Sequence, residues 1–172
     1  MARAVPGFCT LFATVFATLG LAAQPAPVET RIVPGSPVVS VDLLRFPLTP
    51  KIRQRLLKAM STSDSGDHQA AIGQLLDLLG KYPGSAPFVD NLLGVEYVKI
   101  SRFEDAVSSL EKAVAFLPRD AWTHYNLGLA LICAGDRDRA RQEIQRAVEL
   151  DPSNDDMRAR LQSLDGPSPA GN

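Results

Sequence analysis

The order of apolar and small residues between positions 87 and 152 occurs twice, with a period of 34 residues. Within each copy the apolar residues recur at spacings of three and four, which predicts two amphipathic helices joined by a short turn. The matching positions are Gly94, Ala106, Leu110 and Pro118 in the first copy and Gly128, Ala140, Ile144 and Pro152 in the second. A fixed period of this length indicates stacked helical hairpins, because one hairpin cannot bury its own apolar face.

A weaker copy of the same pattern precedes these two. Its matching positions are Gly66, Ala71, Leu75, Leu78 and Pro83. Gly66 and Gly135 each fall between the two helices of their copy, where a left-handed residue commonly ends a helix. Ala59 stands where the later copies have glycine, so the first helix of this copy departs most from the pattern.

These patterns divide the chain into successive segments. The predicted segments are a signal peptide at 1–23, a proline-rich linker with a short extended stretch at 24–50, a divergent repeat at 51–86, repeats at 87–120 and 121–154, a capping helix at 155–165 and a disordered tail at 166–172. Six prolines in the linker argue against a helix there. The capping helix would cover the last apolar face of the stack.

The repeating positions resemble the tetratricopeptide repeat, a 34-residue unit with a Leu-Gly pair, a following aromatic residue, an alanine, a large apolar residue and a final proline. The residues that carry the resemblance are Leu93, Gly94, Tyr97, Ala106, Leu110 and Pro118, then Leu127, Gly128, Leu131, Ala140, Ile144 and Pro152. The early tryptophan of the family is missing, and Asp90 and His124 stand in its place. The resemblance implies an all-α fold, a right-handed superhelical stack of helix-turn-helix hairpins whose hollow side binds peptide or protein segments.

The N-terminus carries an uncharged stretch of 17 residues, 7–23, which follows Arg3 and precedes Pro25. A positive start, a short apolar run and small residues at its end are typical of a secretory signal peptide. This predicts an exported protein of bacterial type, periplasmic or secreted, with an uncleaved membrane anchor as the alternative. Removal of the signal would leave Cys133 as the one cysteine, either a small apolar residue of a helix or a disulfide to another chain.

Charge and motif content argue against several functions. The formal net charge of −1 gives no electrostatic basis for binding nucleic acid. His68 and His124 are the only histidines and have no partners at zinc-ligand spacing. We expect His68 to be solvated in a turn and His124 to be a hydrogen-bonded residue of a packed helix. No phosphate-binding loop or hydrolase motif is present, so the sequence predicts no enzyme, no cofactor and no metal site.

Candidate partner-binding residues lie on the first helix of each repeat, opposite its core face. They are Phe88, Asn91, Val95, Val98 and Lys99 in one repeat and Trp122, Tyr125, Asn126, Leu129 and Ile132 in the next. A helix that is apolar on two sides is normally buried on both. The neighbouring repeat, the stretch 38–46 or a partner would cover this second side. Asn91 and Asn126 would either bond the backbone of a bound strand or satisfy neighbouring helix ends.

The function that follows is an exported adaptor or scaffold that binds an unidentified peptide or protein on the concave face of a short repeat array. One alternative is a structural protein that self-associates, with the apolar stripe as the seam of a homodimer. Another is an accessory subunit of an envelope complex, tethered by an uncleaved N-terminus.

Overall fold

The computed structural model describes residues 48–165, which form seven α-helices and contain no strand. The helices are α1 (Pro50–Asp64), α2 (His68–Lys81), α3 (Ala86–Lys99), α4 (Phe103–Phe116), α5 (Ala121–Ala134), α6 (Arg137–Leu150) and α7 (Asp155–Asp165). A 3-10 turn, Pro83–Ser85, leads into α3. The predicted all-α fold is confirmed. The predicted signal peptide, the linker as far as residue 47 and the tail at 166–172 lie outside the described residues.

A left-handed residue follows the first helix of each hairpin. Gly66 and Gly135 have φ of 89° and 87°, as the sequence predicts, and Ser101 takes the same role between α3 and α4 with φ of 60°. Beyond each of these residues an amide returns to a carbonyl five positions earlier, for example from Asp136 to Leu131 at 2.9 Å. This hydrogen bond belongs to the Schellman motif, which ends the first helix and lets the second begin at once.

Polar side chains begin most of the helices. Each accepts a hydrogen bond from a backbone N–H three residues further on, which satisfies a donor that the helix itself leaves open. These residues are Thr49, Asp67, Asp120, Asp136 and Asn154. Side-chain N-caps therefore stabilise the first turns of α1, α2, α5, α6 and α7.

The helices of the second and third hairpins approach closely at glycine. A Cβ atom on Gly94 would lie 2.3 Å from Cγ of Leu110, and one on Gly128 would lie 2.4 Å from Cγ1 of Ile144. Both of these larger side chains are fully buried. Because the glycine of each Leu-Gly pair has no side chain, it leaves the space that the large apolar residue of the opposite helix fills.

Two groups of buried residues form a row along the stack. The first joins α1, α2 and α3 and contains Leu56, Leu75 and Leu93. The second joins α4, α5, α6 and α7 and contains Leu110 and Met157. Met157 is fully buried, so α7 covers the apolar end of the third hairpin. Between residues 48 and 165, the helices all fall short of the length and apolar character that a membrane span requires.

Candidate partner-binding surface

The first helices of the second and third hairpins are buried on more than one side. Every residue from 89 to 96 in α3 and from 123 to 131 in α5 is buried. Helix α3 packs against α2, α4 and α5, and α5 packs against α3, α4 and α6. Neighbouring hairpins therefore cover much of the second apolar stripe.

The predicted partner-binding set divides by exposure. Its buried members are Asn91, Val95, Tyr125, Asn126 and Leu129. Its accessible members are Phe88, Val98, Trp122 and Ile132, which are half-buried, and Lys99, which is exposed. Phe88 and Trp122 occupy equivalent positions one repeat apart, as do Val98 and Ile132. Only the accessible members can contact a partner without a rearrangement of the helices.

Asn91 and Asn126 join the second and third hairpins through a buried chain of hydrogen bonds. The amide of Asn126 donates to the side-chain oxygen of Asn91 at 3.1 Å, and the amide of Asn91 donates to the Thr123 hydroxyl at 2.7 Å. Thr123 donates in turn to the carboxylate of Asp120 at 2.6 Å, which also caps α5. The two amides are thus bonded to each other and to a side chain of α5 inside the protein.

Trp122 lies at the start of α5 against a buried aromatic ring. Its ring meets Tyr125 edge to face, with centroids 5.9 Å apart and planes at 84°. Burial raises the pKa of the Tyr125 phenol, and a hydrogen bond from the Arg160 guanidinium opposes this increase. The buried Tyr125 thus packs against Trp122, which remains partly accessible.

Lys99 is part of a polar cluster at the junction of the first two hairpins. Its ammonium donates to Glu96 at 2.9 Å and to the Ser63 hydroxyl at 2.7 Å. The Glu96 side chain is only 4% exposed and also accepts from Ser63 at 2.7 Å. Nδ1 of His68 lies 3.0 Å from the other carboxylate oxygen of Glu96. The cluster therefore holds a buried carboxylate between three polar partners.

The expectation that His68 is solvated is wrong. His68 begins α2 rather than lying in the turn, and its side chain is 29% exposed because Glu96 of the next hairpin packs against it. Glu96 was not among the predicted site residues. The sequence did contain a signal for it, because Glu96 lies between Val95 and Tyr97 on a helix with apolar residues on both faces. A carboxylate that is buried in such a helix needs a polar partner.

His124 is buried, and both of its ring nitrogens contact acceptors. Nδ1 lies 2.7 Å from a carboxylate oxygen of Glu143, and Nε2 lies 3.2 Å from the Pro118 carbonyl. Burial lowers the pKa of His124, but the two hydrogen bonds and the charge of Glu143 outweigh it, so the pKa is raised overall. At the equivalent position of the second repeat, burial raises the pKa of the Asp90 carboxyl while Lys112 opposes the change.

A shallow cavity of about 420 Å³ lies away from this surface, between α4, α5 and the start of α6. Glu104, Val107 and Leu131 contribute to its wall, together with Glu111 and Arg139. Arg139 pairs there with Glu111 of the preceding hairpin. Across residues 48–165, His, Cys, Asp and Glu side chains nowhere form a group of three or more that could hold a metal ion.

Known proteins share both the repeat and the arrangement of helices. The sequence model of the tetratricopeptide repeat matches residues 121–154. The Hsp70-Hsp90 organizing protein of Triticum aestivum is 28% identical over 104 residues, which are 60% of this chain and 18% of that protein. The chain thus spans less than a fifth of the length of this curated relative.

Solved structures have the same fold. MamA of Desulfovibrio magneticus RS-1, from residue 41 to its end, superposes with a TM-score of 0.62 at 25% identity, covering 66% of this chain and 64% of that one. The first repeat domain of Spaghetti (RPAP3), bound to the HSP90 peptide SRMEEVD, superposes with a TM-score of 0.64 at 19% identity, covering 69% and 93%. Residues 121–154 are thus a tetratricopeptide repeat, and the described helices form a solenoid of that type.

Proposed function

We propose that this chain is a protein-interaction adaptor that binds a peptide or protein segment along α3 and α5. The observation that carries the proposal is the accessible part of the predicted surface. Phe88, Val98, Trp122 and Ile132 remain half-buried although the residues between them are covered by neighbouring hairpins. Apolar side chains left accessible on a protein surface can mark an interaction site. The peptide held by the Spaghetti domain supports the capacity of this fold for such binding.

The partner segment is proposed to be mainly apolar. Lys99 is the one cation in the predicted set, and Glu96 already neutralises it at 2.9 Å. An acidic segment would have to compete with this buried carboxylate. Apolar side chains would instead cover Trp122 and the other accessible apolar residues of α3 and α5, and aromatic anchors usually contribute most of the binding free energy.

Export of the protein is a further part of the proposal. The uncharged stretch at 7–23 supports it, with small residues where a signal peptidase would cut. The test is N-terminal sequencing of the protein recovered from fractionated cells. A start near residue 24 in an exported fraction is expected. An intact Met1 in the soluble cell interior would refute export and leave the adaptor function to its own test.

The adaptor function can be tested with Trp122, which is the only tryptophan of the chain. Peptides selected from a displayed random library against the full chain are expected to change the fluorescence of Trp122. Trp122→Ala should weaken their binding by about 2 kcal/mol or more in calorimetry. Phe116→Ala is the matched control, because Phe116 is an aromatic residue 59% exposed near the end of α4. It should bind as the unchanged chain does.

Folding must be followed in the same variants. Circular dichroism and thermal melts should show Trp122→Ala folded, and Ile132→Ala supplies a second change on the same surface with a smaller loss of volume. Selected peptides that bind Trp122→Ala and Ile132→Ala with unchanged affinity would refute this surface. So would equal losses in Phe116→Ala.

A further inference from the structure

We propose that His124 is a protonation-dependent clamp that fastens the α4–α5 turn to α6, tightening the third repeat at acidic pH and loosening it at alkaline pH. The inference concerns the repeat itself and does not depend on the proposed partner.

The geometry of the imidazole carries the proposal. Nδ1 faces the carboxylate of Glu143 on α6, and Nε2 faces the carbonyl of Pro118 in the turn, at 2.7 and 3.2 Å. Neither of these oxygens has a proton to donate. Neutral imidazole has a single N–H, whereas the imidazolium has two. Only the protonated ring can therefore donate to both elements at once.

Because His124 is buried, the change between its neutral and its protonated form affects the packing around it. The His124 side chain is 8% exposed, so water cannot readily replace a hydrogen bond that the neutral ring gives up. A buried polar group without a partner is costly in a folded protein. Loss of the proton thus releases either the turn at Pro118 or the carboxylate of Glu143, and the connection between α6 and the turn is broken.

The surrounding charges favour the protonated form on balance. From α6, Glu143 favours it and Arg146 opposes it. On the N-terminal side of α5, the carboxylate of Asp120 is occupied by Thr123. The raised pKa of His124 is consistent with the clamp being closed near and somewhat above the range in which free histidine titrates.

The clamp replaces a packing residue of the family. Position 124 is where the tetratricopeptide repeat has its early tryptophan, and the ring at this position joins the two helices of the hairpin through hydrogen bonds instead. The second repeat has Asp90 at the equivalent position, which cannot bridge two acceptors in this way. We therefore expect the effect to be confined to the third repeat.

The direction of the pH dependence follows from the raised pKa in the folded state. The contribution of His124 to stability is complete below the pKa of the unfolded chain, about 6.5, and is lost as the pH rises through the higher folded value. The melting temperature of the full chain should fall by about 4 °C or more across this window. In His124→Gln and His124→Trp, the part of the decrease in melting temperature that is due to His124 should be absent. Asp90 is present in all three proteins, so its titration does not account for the difference.

Proton NMR on the full chain tests the clamp directly, since it has two histidines and His124→Gln assigns their signals. The imidazole of His124 is expected to titrate above 6.5, and Glu143→Gln should lower that value while the chain stays folded. An imidazole that titrates at or below 6.5 would overturn the proposal. Identical pH profiles of melting for the unchanged chain and for His124→Trp would also overturn it. If His124→Gln does not fold, the shift in Glu143→Gln decides between the two outcomes.

Discussion

Replacing Gly94 with alanine tests the packing on which the fold depends. The added Cβ would lie 2.3 Å from Cγ of Leu110 and 2.8 and 2.9 Å from its two terminal carbons. Carbon atoms in contact are normally about 3.5–4.0 Å apart. Leu110 is fully buried, so it has little room to adopt another rotamer. The substitution must therefore push α3 and α4 apart or deform both.

The expected cost is the difference between two opposing effects. Overpacking in a core costs about 1–3 kcal/mol, and this contact falls at the upper end because all three branch carbons of Leu110 are involved. Alanine is favoured over glycine within a helix by about 1 kcal/mol. We therefore expect Gly94→Ala to lower the free energy of unfolding by about 2 kcal/mol, which corresponds to a decrease in melting temperature of about 4–8 °C.

Gly73→Ala is the matched control. Gly73 also lies within a helix, α2, but a Cβ atom there would meet nothing within 4 Å. The same change should therefore stabilise the protein, by up to about 1 kcal/mol. Urea unfolding of both variants gives the comparison, and Leu110→Val should restore part of the loss in Gly94→Ala. Equal effects of the two glycine substitutions, or a gain in stability for Gly94→Ala, would refute the reasoning.

Two further substitutions probe the turns and the buried amides. Ser101→Gly should stabilise the chain by about 1 kcal/mol in urea unfolding, because Ser101 has a left-handed backbone that glycine adopts without steric cost; unchanged or reduced stability would contradict this account of the turn. Asn91→Ala should cost about 1–3 kcal/mol in the same assay, because it leaves the buried amide of Asn126 and the hydroxyl of Thr123 without a bond that each now makes. An unchanged free energy of unfolding would show that the chain of hydrogen bonds does not stabilise the junction between the two hairpins.

The arrangement of the helices was accessible from the sequence because it depends on local patterns that occur more than once. The helical spacing of apolar residues, a glycine at each of two turns and the Leu-Gly pairs all act within one hairpin. Gly94 and Gly128 contact the large residue sixteen positions further on, in the same hairpin. A contact of this kind can be inferred from the repeat itself, since both copies contain both partners.

The contacts between hairpins could not be inferred in this way. Arg139 pairs with Glu111 of the preceding hairpin, although Glu143 lies four residues further along its own helix. His68 similarly reaches Glu96, 28 residues away. Such contacts depend on the distance and angle between successive hairpins, which no spacing within one helix specifies.

The candidate surface was predictable only in its outline. The stripe that contains Phe88 and Trp122 could be traced by helical spacing, but its division into buried and accessible residues could not. Val95 and Leu129 resemble Val98 and Ile132 in character and lie on the same helices. Their burial follows from the separation of α3 and α5, which depends on how the hairpins stack.

Polar groups distinguish one stacking arrangement from its neighbours. Apolar contacts between hairpins can be exchanged for others when a helix shifts by one turn, because the burial of apolar surface has no preferred direction. The partners of the Asn91 amide and of the Glu96 carboxylate cannot be exchanged so easily, because each of these groups is buried and hydrogen-bonded to a specific side chain of an adjoining hairpin. A shift would leave each without its partners at about 1–3 kcal/mol per group. The two polar junctions therefore select the register in which Phe88 and Trp122 remain accessible, although neither junction touches them through these bonds.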